Sequence, residues 1–445
     1  MVSTSKIKGV EQSLWGFNLS LIIYNTKKII KSKFAKDTIW LTVAQIVLAF
    51  SGILINIIIG NKYGSEDLGV FNQSIAIFFL ISAILSFGLN NTTIKKISEN
   101  PDNQKRNKLI INSNLLIVCI IGFSIFFIGY FTIDKIAFVF SSFDIALSMK
   151  ILFISIPIYN INKILMSSLT GLRKQKEFSI ARIIRWGSLI TLISNYSFFY
   201  DSIFNIYYSF LISELILFIY LFIKLYHFIS LSYSVESIKE NLKFGSKTYI
   251  SEIISFTKDR LDIILVGYFL TKYQMGIFTF SYSFSSGILI LSRVFMQNFN
   301  PIISNLWENK KYSELKQKII FLVKRISVVQ FFFFIIIGIS FNLVVPYIVN
   351  LPIRENILIF TMMLLGFFIF STISFLGSFL VMTGNLNMNI IRVLISLFFS
   401  VTIVSSMSYY NGINGAALAV LFSNIFNFMM IVVFTKRIFK QFYNE

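Results

Sequence analysis

The chain has 445 residues, of which 56% are hydrophobic, 17% aromatic and 13% charged, with a formal net charge of +20 at pH 7. Soluble domains usually carry about 25% charged residues, so this composition excludes an ordinary soluble protein. In a soluble chain such a positive charge would suggest a nucleic-acid partner. Here the basic residues lie between apolar stretches, where they set membrane orientation, and nucleic acid is excluded as a partner.

The chain begins with a basic segment, residues 1–37, that contains one short apolar stretch, residues 15–24. Ten residues are too few to cross a bilayer, which needs about 20. Two interpretations fit this stretch: an amphipathic helix lying along the cytoplasmic interface, or a flexible tail.

Twelve apolar runs of spanning length follow, and they predict an all-α, polytopic membrane protein with about twelve transmembrane helices. The runs cover residues 38–60, 70–94, 109–131, 146–170, 178–200, 203–226, 246–270, 276–299, 319–341, 356–381, 388–408 and 411–435. This pattern predicts two lobes of six helices each and a short tail. The predicted boundaries are 38–226 for the first lobe, 227–245 for a cytoplasmic linker, 246–435 for the second lobe and 436–445 for a cytoplasmic tail.

Lys and Arg are distributed very unevenly between the two faces of the predicted bundle. The segments on the face that holds both termini contain 31 of them, the opposite face contains 5, and 4 lie within spans, which accounts for all 40. Basic residues accumulate on the cytoplasmic side of membrane proteins, so both termini are predicted to be cytoplasmic. The outer loops are short, which leaves any chemistry to the helical bundle itself.

An internal repeat relates the end of the first span to the end of the seventh. Gly60 is followed after eight residues by Gly69-Val70-Phe71, and 207 residues later Gly267 is followed in the same way by Gly276-Ile277-Phe278. Because each half holds six spans, the two halves have the same orientation. Such a parallel repeat is typical of an alternating-access transporter whose substrate site lies between the lobes.

Several stretches carry a family resemblance. They are Asp37-Thr38-Ile39-Trp40, residues 63–71, residues 259–267, Met275-Gly276-Ile277-Phe278 and residues 411–417. Their order and spacing resemble the MOP (multidrug/oligosaccharidyl-lipid/polysaccharide) exporter superfamily, specifically its Wzx-type O-antigen flippases, over about 38–435. The resemblance implies a fold like that of the superfamily's MATE branch.

The resemblance also implies a function: a flippase that moves undecaprenyl-diphosphate-linked oligosaccharide, an O-antigen or capsule unit, across the bacterial inner membrane. The expected driving force is a proton or sodium gradient, without a cofactor. The implied partners are the lipid-linked oligosaccharide, membrane lipids, the polysaccharide polymerase and the chain-length regulator.

Two alternatives stay open. A multidrug antiporter of the same superfamily often relies on a carboxylate in the first helix, and none occurs between Thr38 and Gly60. A membrane-embedded polymerase or ligase would be expected to carry a large outer loop, which the apolar pattern does not leave room for.

Cations within or beside spans are candidates for binding a lipid diphosphate, because a charge inside the bilayer is costly and Arg matches phosphate geometry. The candidates are Lys163, Lys258, Arg260 and Arg293 for direct contact, with Arg182 and Arg185 at the cytoplasmic mouth. Each has a structural alternative. Lys163 and Arg293 could reach the inner headgroups, Arg182 and Arg185 could be orientation anchors, and Lys258 could simply pair with Asp262.

Carboxylates within spans are candidates for coupling transport to an ion gradient, since desolvated carboxylates can exchange protons near neutrality. These candidates are Glu214, Glu252, Asp259 and Asp262. The alternative for Glu214 is neutralisation by a nearby cation such as Lys163. A His/Cys metal site is not expected, because the chain has one His and one Cys, and no catalytic residue is predicted.

Overall fold

A computed structural model of the chain describes residues 33–132, 135, 142–230, 232–352 and 357–443. The apolar stretch 15–24 lies outside these residues. The helices are α1 (Lys33–Leu85), α2 (Leu89–Glu99), α3 (Gln104–Phe131), α4 (Phe143–Gly171), α5 (Gln175–Phe199), α6 (Phe204–Leu225), α7 (Val235–Phe269), α8 (Lys272–Ser286), α9 (Leu289–Glu308), α10 (Tyr312–Ile339), α11 (Val345–Ile348), α12 (Ile357–Ser371), α13 (Phe379–Met382) and α14 (Leu386–Tyr443). The described part of the chain is thus almost wholly helical.

The membrane-spanning character of the chain follows from helix length and composition. Six helices in the described residues are long and apolar enough to cross a membrane, and the number rises to eight if each of two bent helix pairs is one span. The bent pairs are α8 with the start of α9, at 44°, and α12 with the segment that ends in α13, at 52°. Two of the six single helices are much longer than one crossing requires.

The first of these, α1, is a helical hairpin. Its 53 residues would extend about 80 Å as a straight helix, whereas the hydrocarbon core of a bilayer is about 30 Å thick. The helix breaks at Gly64, where φ is 85°. Asn72 Nδ2 donates to Asn56 Oδ1 at 2.8 Å, although 16 residues of straight helix would separate them by about 24 Å. The chain therefore folds back at Gly64, and α1 supplies two antiparallel spans.

The other long helix, α14, folds back in the same way at Gly412, where φ is 57°. The hydroxyls of Ser400 and Ser423 lie 3.0 Å apart, and the stacked rings of Phe399 and Phe426 have centroids 4.0 Å apart. Both pairs are centred on Gly412, as expected of two antiparallel arms.

The count of spans rises accordingly to ten when each hairpin counts as two spans and each bent pair as one. Helices α5 and α7, with 25 and 35 residues, are long enough to cross but more polar. With them, every one of the twelve predicted apolar runs coincides with a helix, a hairpin arm or a bent pair. The all-α, polytopic fold is confirmed.

The predicted linker 227–245 is largely ordered against α3. Helix α7 begins at Val235, so the last eleven residues of this segment are helical. Asn112 Nδ2 donates to the carbonyl of Phe228 at 2.9 Å, and Asn241 Nδ2 donates to Asn114 Oδ1 at 2.8 Å. Buried amides that bond to each other hold the segment in one register.

The predicted tail 436–445 begins as part of a packed helix. Helix α14 continues to Tyr443, and Ile438 is fully buried in a core that also contains Ile303 and Phe379. The lobe boundaries at 38–226 and 246–435 stay a prediction.

The two repeats meet along a seam between α1 and α8. A Cβ added at Gly276 would lie 1.8 Å from the carbonyl oxygen of Ser65, and one added at Gly69 would lie 2.3 Å from the carbonyl oxygen of Lys272. Only glycine permits such an approach of two backbones. Ser65 and Gly69 correspond to Lys272 and Gly276 under the 207-residue offset, so the two contacts are copies of each other.

A third contact crosses the same seam, since Asn72 Nδ2 donates to Thr279 Oγ1 at 3.1 Å and these residues are themselves 207 apart. When residue i of one repeat contacts residue j of the other, and residue j of the first contacts residue i of the second, the two repeats are related by a two-fold axis. The local pseudo-two-fold axis of the repeat therefore passes through this seam.

The face that the charge distribution assigns to the outside is held together by polar contacts beside the seam. The ammonium of Lys272 pairs with Asp144 at the start of α4. The side chain of Asn61 donates to the carbonyl of Ile348 at 2.7 Å and accepts from the backbone N–H of Asn350 at 2.8 Å. These bonds join the outer ends of elements far apart in sequence, so the bundle is closed at this end.

Candidate anion-binding site

The centre of the candidate site is an ion pair between α5 and α6. Arg185 Nε lies 2.7 Å from Glu214 Oε1, and Arg185 Nη2 donates to Glu214 Oε2 at 2.9 Å. The Nη2 hydrogen bond is charge-assisted and therefore strong, and the Nε contact is a close ion contact without hydrogen-bond geometry. The Arg185 and Glu214 side chains are 14% and 5% exposed, so the pair is largely removed from solvent.

Helix α4 completes the surroundings of this pair. Asn162 Nδ2 donates to Glu214 Oε2 and to the Glu214 backbone carbonyl, both at 2.8 Å. The guanidinium of Arg185 lies over the ring of Tyr159, 4.8 Å from its centroid. Helices α4, α5 and α6 thus position the Glu214 carboxylate and the Arg185 guanidinium. Asn162 bonds to the carboxylate, and the ring of Tyr159 lies against the guanidinium.

A small cavity of about 40 Å³ borders the pair. Its lining is mostly aromatic and comprises Phe78, Phe79, Tyr159, Arg185, Trp186, Leu189, Phe210, Ser213 and Glu214. A cavity of this size holds a few water molecules. It is too small for a diphosphate, so an anion of that size requires the surrounding side chains to move.

Further cations lie around the same site. The guanidinium of Arg260 on α7 is 5.0 Å from the ring centroid of Phe79, which also lines the cavity. Arg182 lies close enough to Arg185 and to Arg293 on α9 for both to repel its positive charge. Four of the six predicted cations therefore gather here, and they come from both repeats.

The environment of Arg182 differs from that of its neighbour one turn away. Arg182 Nη2 donates to Gln45 Oε1 at 3.0 Å, a neutral partner on α1. Gln45 is buried and belongs to the first span, so this span also contributes a side chain to the site. The sequence interpretation had given this position no role.

The sequence analysis gave neutralisation of Glu214 by a nearby cation, such as Lys163, as the alternative to a coupling role, and in the structure Arg185 pairs with Glu214. Arg185, which was expected at the cytoplasmic mouth, lies on the side of α5 that faces α6. Lys163 is half-buried on α4, one turn from Tyr159 and on the same face.

Asp262 lies in a separate setting between α7 and α14. Ser400 Oγ donates to Asp262 Oδ1 at 3.0 Å, and Ser400 also contacts Ser423 across the hairpin. The side chains of three other candidates, Glu252, Lys258 and Asp259, lie outside the described residues. Their predicted roles, and the pairing of Lys258 with Asp262, stay predictions.

Sequence reasoning missed two polar residues. Asn162, which anchors Glu214, gives no signal distinct from other asparagines in spans. Arg392 was counted as an ordinary inner-loop cation, but it is only 7% exposed and donates to the carbonyl of Gly377 at 3.1 Å and to Asn389 Oδ1 at 2.9 Å. The sequence signal that could have identified Arg392 as a buried cation is its position, four residues inside the predicted span 388–408.

Among the described residues no group of three or more His, Cys, Asp or Glu side chains could hold a metal ion. The site is thus a cluster of guanidinium groups around one paired carboxylate and aromatic rings, a chemistry suited to an organic or phosphorylated anion.

This helical bundle with repeat-related hairpins is the fold of MOP-superfamily transporters. It superposes on an inward-facing multidrug resistance MATE family transporter of that superfamily with a TM-score of 0.75 and 13% identity, covering 92% of this chain and 99% of that one. The match to the lipid II flippase MurJ in its inward closed conformation has a TM-score of 0.70 and 16% identity, covering 89% and 87%. For an outward-facing MATE transporter the values are 0.67 and 12%, covering 92% and 95%.

The sequence itself matches the polysaccharide biosynthesis protein family over residues 34–307, which is well over half of the chain. The chain therefore belongs to that family. No curated protein matches it at a significant level. The resemblance drawn from motifs is confirmed at the level of this family, and the fold is that of the MATE and MurJ structures.

Proposed function

We propose that the protein is a flippase that moves undecaprenyl-diphosphate-linked oligosaccharide, an O-antigen or capsule repeat unit, from the cytoplasmic to the periplasmic leaflet. The observation that carries the proposal is the group of guanidiniums at Arg182, Arg185, Arg260 and Arg293, which brings charge from both repeats together around the buried Glu214 carboxylate. A diphosphate requires cations that keep their charge, and arginine does so inside a membrane.

The proposed mechanism is ion-coupled alternating access. The seam between α1 and α8 closes the outer end, so cargo would enter from the inner leaflet and leave once this seam opens. The membrane-facing residues supply the expected lipid contacts, and the polymerase and chain-length regulator would receive the cargo. Glu214, Glu252, Asp259 and Asp262 remain the proposed coupling carboxylates.

A multidrug antiporter is the second candidate, and the observation favouring it is the fold shared with MATE transporters. Against it stands the first span, residues 38–60, which carries no carboxylate. Organic cations would also be repelled by the arginine cluster. Drug efflux on overexpression would support this alternative.

Neutralising Arg260 or Arg293, the two arginines of the group that lie outside α5, is the direct test of the proposal. We expect Arg260→Gln or Arg293→Gln to abolish surface display of the glycan in the source bacterium deleted for its own gene, with normal amounts of protein in the membrane. The matched control is Arg325→Gln on α10, because Arg325 is an exposed arginine that lies over the ring of Phe321, at 4.3 Å, and is not part of the cluster. Normal display by both cluster variants would contradict the proposal.

The proposed topology has an independent test. Because 31 of the 40 basic residues lie on one face, we expect a fluorescent protein fused after Tyr443 to be bright, as it would be in the cytoplasm. Alkaline phosphatase fused after Asp201 or Tyr347 should be active, since both positions lie on the opposite face. An active phosphatase fused after Tyr443 would reverse the assigned orientation.

A further inference from the structure

The guanidinium of Arg185 is already occupied by an anion that belongs to the protein. Nη2 donates to Glu214 Oε2 at 2.9 Å and Nε lies 2.7 Å from Oε1, and these two groups belong to the fork that also fits a phosphate. A phosphorylated cargo and Glu214 therefore compete for the same donors.

Glu214 is held in place independently of Arg185. Asn162 Nδ2 bonds to Glu214 Oε2 at 2.8 Å and also to the backbone carbonyl of the same residue. An incoming anion must exceed the attraction of a carboxylate that is buried and anchored on α4. A diphosphate presents two phosphoryl groups, so it can contact two guanidiniums at once and is a stronger competitor than a monophosphate.

The space around the pair fits the same conclusion. The adjoining cavity of about 40 Å³ is too small for a diphosphate, and its walls include the Arg185 and Glu214 side chains themselves. Cargo can therefore reach Arg185 only if the ion pair opens. Arg182 next to it donates to the neutral Gln45, so displacement of Glu214 leaves two guanidiniums available to one headgroup.

We propose that Glu214 is an internal counter-ion that the diphosphate head of the cargo displaces from Arg185, and that this competition selects diphosphate over monophosphate lipids. The inference rests on the proposed function and assigns to Glu214 a positioning role in cargo selection. While the site is empty, the carboxylate neutralises Arg185. When cargo binds, Asn162 retains the released carboxylate.

The test is a binding measurement on the purified full-length protein in nanodiscs, with farnesyl diphosphate, farnesyl phosphate and farnesol as probes. We expect Glu214→Gln to bind farnesyl diphosphate about fivefold or more tightly than the wild type, within the usual range for two coupled ligands. Its preference for diphosphate over monophosphate should narrow. Glu214→Asp, which keeps the charge on a shorter side chain, should fall between the two.

Two controls separate the counter-ion role from other effects. Glu314→Gln removes one carboxylate from an exposed i,i+4 pair with Lys318 and should leave all three affinities unchanged. The double variant Arg185→Gln/Glu214→Gln removes both charges of the buried pair together and should lose the gain in diphosphate binding.

The outcomes distinguish the two claims. If the wild type binds farnesyl diphosphate no better than farnesol, the proposed function fails and the inference fails with it. If the wild type prefers the diphosphate but folded Glu214→Gln and Glu214→Asp proteins match its affinities, only the counter-ion role is overturned.

Discussion

Gly276→Ala is expected to abolish glycan display, because the added methyl would lie 1.8 Å from the backbone oxygen of Ser65. Real Cβ contacts essentially never fall below 3.0 Å, so α1 and α8 must separate by more than an ångström. Overpacking of this kind costs about 1–3 kcal/mol or more. The strain exists only while the seam is closed, so the variant should accumulate with its outer end open.

This shift can be measured directly. With Cys119→Ser as background, Asn72→Cys should be protected from a membrane-impermeant thiol reagent applied from outside, and the additional Gly276→Ala change should expose it. The matched control is Gly187→Ala on α5, where nothing lies within 4 Å of the added methyl. That change should leave display and labelling unaltered. Wild-type display by Gly276→Ala would show that the seam does not need its close approach.

The repeat illustrates what the sequence can and cannot predict. The 207-residue offset predicts that two segments have the same local structure, because the same glycines recur at the same spacing. It does not predict that the two copies touch, since an offset carries no information about where the relating axis lies. The bond between Asn72 and Thr279 places that axis.

The candidate site likewise has features that the sequence predicts and features that it does not. Hydropathy identifies Glu214 as a costly charge, because that cost depends on the residue and its depth alone, and it assigns Arg185 to the cytoplasmic mouth. Their pairing depends on how α5 and α6 rotate about their own axes, which is set by packing along whole helices. From spacing alone, Lys163 was as good a partner for Glu214 as Arg185. Asn162 was invisible for the same reason, since most asparagines in spans serve only to join helices.

Removing one member of the Arg185–Glu214 pair is expected to be severe. Arg185→Met leaves a buried carboxylate and Glu214→Leu leaves a buried guanidinium, and breaking a buried pair in this way costs about 3–5 kcal/mol. The double variant Arg185→Met/Glu214→Leu replaces both charges with apolar groups of similar size. Such replacements are often neutral or stabilising, so the thermal stability lost in either single variant should return in the double variant.

Recovery of stability without recovery of transport is the decisive result, because it separates a role in folding from a role in cargo binding. We expect the double variant to unfold at a temperature near that of the wild type and yet to display no glycan, since an arginine fork is lost from the proposed site. The exposed Glu314–Lys318 pair provides the comparison: solvent screens a pair of this kind, so its replacement should alter neither readout. Full display by the double variant would make the buried pair a purely structural element. The cargo charge would then have to be met by Arg182, Arg260 and Arg293.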